Sequence, residues 1–350
     1  MHDVNQGRVP VTIVTGFLGS GKTTLIAAML RRPNLAGMAV IVNEFGEIGI
    51  DDAIFADAIG PGNVRLLASG CMCCLAGDDL VETLLDLVRG GPSRPVRIIV
   101  ETTGLADPAK IMCQVMGDLR LRAVIRLDGV VTTIDAVNGT ANLEQHEVCR
   151  AQAAFADLRI VTKSDLAEPK AVAALIAKLQ AMNSGSRIVA ADHGEVDAQM
   201  IFGLSLVDAK TGQADLEKWL NVAGHRTGRL GDTVANPTTL HFSGSHHHGE
   251  AMGTWLIEDP RPVDWERLEQ RVGNIIRRHG HNLLRLKGMV RTRCDVDRPL
   301  VLHGVQHIFH APVRLNSWQG AAGSAIVAIG RDQAYAAVCE LRAAWSDCAE

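Results

Sequence analysis

Between Gly16 and Thr24 the chain reads GFLGSGKTT, which fits G-x-x-x-x-G-K-[S/T] at Gly16, Gly21, Lys22 and Thr23. Glycines in this pattern let the backbone curl so that several N–H groups converge on one polyphosphate. A helix N-terminus beside them favours the same negative charge. Lys22 is placed to reach the β- and γ-phosphates, and the hydroxyl of Thr23 to ligate Mg²⁺. Gly16, Gly19, Ser20, Gly21, Lys22, Thr23 and Thr24 are therefore the candidate phosphate-binding residues, and the expected ligand is a nucleoside triphosphate.

Two further stretches could complete such a site. In VETTG (Val100 to Gly104), Glu101 ends an apolar run where a Walker B acid belongs, able to hold Mg²⁺ through water or to orient an attacking water. Gly104 would let the backbone approach the γ-phosphate. In TKSD, Asp165 could accept hydrogen bonds from the N1–H and N2–H₂ edge of guanine, a pairing adenine cannot offer. Lys163 could lay its methylene stem over the base. Thr162 opens this stretch where Asn is the usual residue.

A different chemistry is written at Cys71, Cys73 and Cys74. In an extended segment alternate residues share a face, so Cys71 and Cys73 can converge on one ion while Cys74 must turn to join them. Thiolates are soft ligands suited to Zn²⁺ and other late transition metals. Three of them leave a fourth tetrahedral position for an outside ligand, which suits a metal that is passed on. Cys113, Cys149, Cys294, Cys339 and Cys348 are scattered and read as core or surface residues. His241 and His246 to His248 could hold a metal loosely or form a solvated loop. In VLHGVQHIFH, His303 and His307 share strand parity and His310 does not, which favours a structural or partner-facing role.

These stretches sit at the ends of recognisable elements. PVTIVT before the glycine loop reads as a buried strand and LIAAMLRR after it as a helix. Further strands are expected over 38–44, 64–70, 94–104, 128–136, 156–165 and 187–191. Helices are expected over 78–89, over 107–116 with Asp107 as N-cap and Pro108 at N1, and over 171–182. Apolar strands alternating with helices predict an α/β fold, a P-loop NTPase domain with a mainly parallel sheet over residues 1–209. The polar, Gly- and Asn-containing stretch 210–237 is expected to be a linker. Residues 238–350 are expected to form a smaller C-terminal α+β domain. Its strands are NLLRLKGMVRT, PLVLHGVQHIFH, SAIVAIG and part of TTLHFSGSHHHGE. An amphipathic helix runs over 263–278, with Trp265, Leu268, Val272, Ile275 and Ile276 on one face, and a closing helix over 333–345.

Composition narrows the class. Over 350 residues the formal net charge is −4 with 21% charged residues, so no nucleic-acid surface is expected. No apolar run reaches the roughly 18 residues of a membrane span, and no signal peptide is read before the first strand, so no membrane partner and a cytoplasmic location are expected. The bunching of three of the eight cysteines fits reduced thiols better than a disulfide framework.

With GFLGSGKTT, NEFGEIGID, GCMCC, ETTGLADP and TKSD in this order, the chain resembles the CobW family of P-loop GTPases. LLRLKGMV, the VQH of VLHGVQH and IVAIGRD extend the resemblance to the family's C-terminal domain. The resemblance implies a GTPase using GTP/GDP and Mg²⁺, with Cys71, Cys73 and Cys74 holding Zn²⁺ or Co²⁺. It also matches Glu44 and Asp51 to the switch I acids, so the catalytic candidates are Lys22, Glu44, Asp51 and Glu101. The implied partner is a client metalloprotein that receives the metal, and a homo-oligomer stays open. The competing expectation is a GTP-dependent regulator or scaffold whose thiols sense metal or redox state. A P-loop kinase is disfavoured, since neither an acceptor pocket nor a lid has a signature here.

Overall fold

The computed structural model describes residues 7–31, 37–42, 64–68, 78–89, 94–191, 195–205, 219–226, 229–230, 239–244, 252–315 and 323–349. The chain divides into two compact units, Met1–Ile176 with Arg187–Gly212, and Ala177–Ser186 with Gln213–Glu350.

In the first unit seven strands form one sheet: β1 (Val9–Gly16), β2 (Met38–Val42), β3 (Val64–Ala68), β4 (Arg97–Glu101), β5 (Ile125–Asp135), β6 (Leu158–Thr162) and β7 (Arg187–Ala190). Their order is β3-β2-β4-β1-β5-β6-β7, and every neighbouring pair is parallel. Parallel strands need crossovers, here supplied by α1 (Lys22–Leu30), α2 (Asp78–Arg89), α3 (Pro108–Gly117), α4 (Leu119–Val124), α5 (Gly139–Gln145), α6 (Glu147–Phe155) and α7 (Pro169–Met182), with the single turn α8 (Ala198–Ile201) after β7. The sheet is covered on both faces, which is why β1 and β2 are buried at every residue. On one face Val14, Val40, Ile99, Val131 and Ile160 pack with Leu25, Ile26 and Met29 of α1. On the other, α6 packs on β1 and β5, and α2 packs against α3 and α4. Asp107 caps α3 by accepting from Ala109 N at 2.9 Å, with Pro108 in the first turn. Helices α4, α5 and α6 have no counterpart among the expected elements.

Chain order and sheet order differ about β1: the chain leaves it for β2 and β3, returns to β4 between β2 and β1, and then crosses to β5. In an open α/β sheet the carboxyl ends of strands on either side of such a reversal form the ligand crevice. The loops after β1, β4, β5 and β6 meet there.

The second unit is an antiparallel sheet with its two long helices on one face, an α+β domain as expected. It comprises β8 (Arg229–Leu230), β9 (Thr239–Gly244), β10 (Met252–Asp259), β11 (Leu283–Thr292), β12 (Asp295–Val305), β13 (Ile308–Phe309), β14 (Val313–Arg314) and β15 (Ser324–Arg331). The order is β13-β12-β11-β15-β10-β9-β8, with β14 also paired to β12. The long helices α10 (Trp265–His279) and α11 (Ala334–Ala349) follow the five-residue α9 (Val222–Arg226). Leu268, Val272, Ile275 and Ile276 of α10 meet Val338, Leu341 and Trp345 of α11 over Trp255, Leu286, Leu300 and Ile326 of the sheet. The stretch 210–237, expected as a linker, contains α9, β8 and the buried Trp219, Leu220 and His225, so its described residues are packed parts of the second unit.

His303 on β12, and His307 and His310 on either side of β13, depart from strand parity. The turn at Gln306, where φ is +48°, folds the chain back so that His310 N donates to His303 O at 3.0 Å and the two rings lie 5.8 Å apart. His307 is left at the turn, beside the ring of His281 at 6.5 Å. Among the described residues no helix is long and apolar enough to cross a membrane.

Candidate nucleotide site

β1 runs straight into the glycine loop, and the register Gly16↔Thr133 sets the loop's first residue against β5. Gly16 has φ +145°, and a β-carbon there would lie 2.3 Å from Thr133 Oγ1 and 2.5 Å from Thr133 O. Only glycine fits this close approach of two backbones. Gly19 and Gly21 have φ +69° and +85°, and Gly21 is the N-cap of α1. Ser20 is buried, its hydroxyl 2.7 Å from that of Thr133 and its N–H donating to Phe17 O at 3.1 Å. These contacts close the loop over the helix N-terminus, the geometry of an anion cradle. Thr24 is exposed in the first turn of α1.

Lys22 is 4% exposed. Its ammonium lies under the loop, donating to Gly16 O at 3.1 Å and Phe17 O at 3.3 Å. Thr23 Oγ1 donates to Glu101 Oε1 at 2.8 Å. Glu101 is the last residue of β4, fully buried, and the register Val14↔Glu101 brings it beside the loop. A hydroxyl and a buried carboxylate side by side are hard oxygen donors, the kind Mg²⁺ takes next to phosphate. The donor set therefore fits that ion, with Thr23 and Glu101 as the residues that would hold it.

Beyond Glu101, Thr102 N donates to Val14 O at 3.0 Å and Thr102 Oγ1 to Thr15 Oγ1 at 2.8 Å, tying this loop to β1. Gly104 is pressed against the glycine loop: a β-carbon on it would lie 2.6 Å from Leu18 N. Gln152 of α6 reaches the same loop, donating from Nε2 to Gly104 O at 3.1 Å and Ala106 O at 3.0 Å. At the start of α6, His146 stacks on Phe17 with centroids 4.7 Å apart.

The TKSD stretch stands on the opposite side of the glycine loop. Thr162 is buried at the end of β6 and donates to Ser20 O at 2.8 Å, so its hydroxyl latches the base-recognition loop onto the phosphate loop. Lys163 has a left-handed backbone, φ +56°, which turns its side chain back over the glycine loop. Its Nζ donates to Gly19 O and to Asp135 Oδ2, both at 2.8 Å. Asp165 lies exposed in the single 3₁₀ turn Ser164–Leu166. Asp135, absent from the sequence-derived set, is 5% exposed at the end of β5 and also accepts from Val137 N at 2.8 Å and Asn138 Nδ2 at 3.1 Å. Burial pushes its carboxyl up, but Lys163 and the hydrogen bonds from Asn138 and Val137 together outweigh burial and hold it below the usual carboxylate range.

The structure thus brings together Gly16, Gly19, Ser20, Gly21, Lys22, Thr23, Glu101, Gly104, Thr162 and Lys163. Thr133, Asp135 and Gln152 join them without any sequence signal of their own. Glu44, Asp51, Cys71, Cys73, Cys74 and His246 to His248 lie outside the described residues. Among the described residues no group of three or more His, Cys, Asp or Glu side chains could hold a metal ion. Burial raises the thiols of Cys113 and Cys149 to about 11 and about 12, which keeps them protonated and poor ligands.

Comparison with known proteins gives this geometry a family. The model of the CobW/HypB/UreG nucleotide-binding domain matches residues 10–190, and that of the cobalamin synthesis protein CobW C-terminal domain matches residues 252–349. The zinc chaperone YjiA of Escherichia coli is 29% identical over 306 residues, covering 87% of this chain and 88% of its own. A zinc chaperone CobW from a Sinorhizobium species is 28% identical over 311 residues, 81% of this chain and 82% of its own. The zinc chaperone CobW of Pseudomonas aeruginosa is 36% identical over 230 residues, 57% of this chain and 60% of its own. The crystal structure of Zn(II)-bound YjiA GTPase from E. coli superposes with a TM-score of 0.62 at 24% identity, over 98% of this chain and 99% of that one, a likeness of fold. The chain belongs to the CobW/HypB/UreG family and carries the CobW C-terminal domain after its nucleotide-binding domain.

Proposed function

We propose that the chain is a GTP-hydrolysing metal chaperone that binds a divalent transition ion, zinc before cobalt, at Cys71, Cys73 and Cys74 and passes it to a client protein. The observation that carries the nucleotide half is the pairing of Thr23 with buried Glu101 at 2.8 Å beside the Lys22 ammonium. A hydroxyl, a carboxylate and a buried cation at the mouth of a helix N-terminus are what phosphoryl transfer to water asks of a protein. Lys22 neutralises charge that develops on the β–γ bridge as water attacks the γ-phosphorus and GDP leaves. Thr23 and Glu101 would hold Mg²⁺, which when bound would supply further neutralisation of the phosphate oxygens. Glu44, Asp51 and Glu101 remain the candidates to orient the water.

Guanine recognition is supported by the latch from Thr162 to Ser20 and by Lys163, which position Asp165 relative to the phosphate loop. Thr162 makes that link through its hydroxyl, so an Asn is not needed there for the two loops to be joined. The metal half is supported by the thiol spacing and by relatives named zinc chaperones.

The test is GTP turnover and zinc affinity on matched variants. Lys22→Ala should reduce hydrolysis by about a hundredfold or more, while Cys73→Ala should lose zinc affinity and keep nucleotide binding. Hydrolysis unaffected by Lys22→Ala, or unchanged zinc affinity in Cys73→Ala, would overturn the corresponding half.

A further inference from the structure

We propose that Gln152 is a positioning residue for GTP hydrolysis: from α6 it clamps the loop after Glu101 and sets where the Gly104 N–H points. This rests on the reading of Gly104 as the γ-phosphate contact. Gln152 is 1% exposed, and its Nε2 donates to both Gly104 O and Ala106 O. Both partners are acceptors, so only one orientation of the amide satisfies them. Its own Oε1 is then buried with no hydrogen-bond partner among the described residues. A buried acceptor left unpaired is unfavourable, and such groups persist where they hold something else in place.

The helix that carries Gln152 is itself tied to β5 and to the glycine loop. Thr132 Oγ1 of β5 donates to Gln152 O at 2.8 Å, and His146 at the helix start stacks on Phe17 of the glycine loop. With the carbonyls on either side of Leu105 held, the backbone of Gly104 has little freedom. Its contact with Leu18 removes most of what remains. Any movement of this loop between the GTP and GDP states must therefore strain or break the bonds from Gln152. Where the loop takes different positions in the two states, the clamp contributes differently to each, which is what shifts an equilibrium between them.

The test is the full-length protein with Gln152→Leu and Gln152→Glu. Three readouts serve: GTP turnover, the ratio of affinities for GDP and a non-hydrolysable GTP analogue, and the pH profile. Gln152→Leu should change the affinity ratio or kcat by about tenfold, with GDP affinity kept within about threefold. Gln152→Glu should be equally impaired at about pH 8 and recover relative to wild type towards about pH 6, because a buried carboxyl that takes up a proton can donate again. Unchanged kcat and affinity ratio in Gln152→Leu would overturn the proposal. So would a loss of GDP affinity in step with kcat, or a Gln152→Glu defect that ignores pH. A wild-type chain that hydrolyses no GTP would count against the GTPase reading instead, and the affinity ratio would still judge the clamp.

Discussion

Gly16 and Gly19 are both glycines of the phosphate loop, but for different physical reasons, and this predicts different outcomes for the same substitution. A β-carbon on Gly16 would lie within 2.5 Å of backbone oxygen on β5, which neither strand can move to relieve. Around Gly19 nothing lies within 4 Å, so Gly19→Ala meets only the strain of a positive φ, about 1–2 kcal/mol. Fluorescent-nucleotide titration should show Gly16→Ala abolishing binding, and Gly19→Ala weakening it by no more than roughly tenfold; equal effects would contradict this account of the loop. Asp135 offers a second check. Its folded pKa is held below the unfolded value of about 3.9, so its stabilising contribution is present above that value and is lost as pH falls through the folded one. Asp135→Asn should remove that part of the acid sensitivity of thermal unfolding. It should also weaken GTP binding by about 1 kcal/mol, since the partner Lys163 is partly solvated. A variant with wild-type acid sensitivity would show that the pair is not coupled to folding. Lys22 and Thr23 were legible in the sequence because phosphate chemistry forces residue types at fixed spacing within one strand–loop–helix, and Glu101 because it ends an apolar run in a second recognisable stretch, VETTG. Asp135 and Gln152 were not, because each acts across elements 28 and 48 residues away in the chain and leaves no local pattern.

At the scale of elements, the parallel strands of the first unit were readable as apolar runs because both faces of that sheet are buried. Helix α10 was readable for a different reason: Leu268, Val272, Ile275 and Ile276 recur at helical spacing and all are buried against α11 and the sheet. Leu268→Ala should accordingly destabilise the second unit by about 2–5 kcal/mol, measured by denaturant unfolding; a change under about 0.5 kcal/mol would mean that this face is not core. Helices α5 and α6 escaped the sequence reading because GTANLEQ and EVCRAQAAF carry few large apolar residues to mark a face. Packing on β1 and β5 makes α6 helical, rather than any stripe of its own. Strand β10 escaped as well: MGTWLIED contains a glycine and ends in two acids, and only its pairing with β9 and β15 reveals it. The hairpin at Gln306 shows the limit of parity arguments, since a turn put His310 beside His303 from the wrong side of the alternation.

For the whole molecule, the order of motifs along the chain was enough to expect a P-loop domain followed by an α+β domain. The packed stretch around Trp219 and β8 was not, because its polar composition hides the few residues it buries. On the proposed function, one chain couples a guanine-nucleotide site to a thiolate metal site. Coupling of this kind is reciprocal: if nucleotide state alters metal affinity, metal alters the preference between nucleotides by the same factor. The measurement that tests it most directly is Zn²⁺ affinity by chelator competition, in Mg–GDP and again in Mg with a non-hydrolysable GTP analogue, with Co²⁺ as the comparison ion. The account predicts a difference of about tenfold or more between the two nucleotide states, about 1.4 kcal/mol of coupling, abolished in Cys73→Ala. Equal affinities in both states would contradict it, leaving the thiols as a sensor that the nucleotide does not gate.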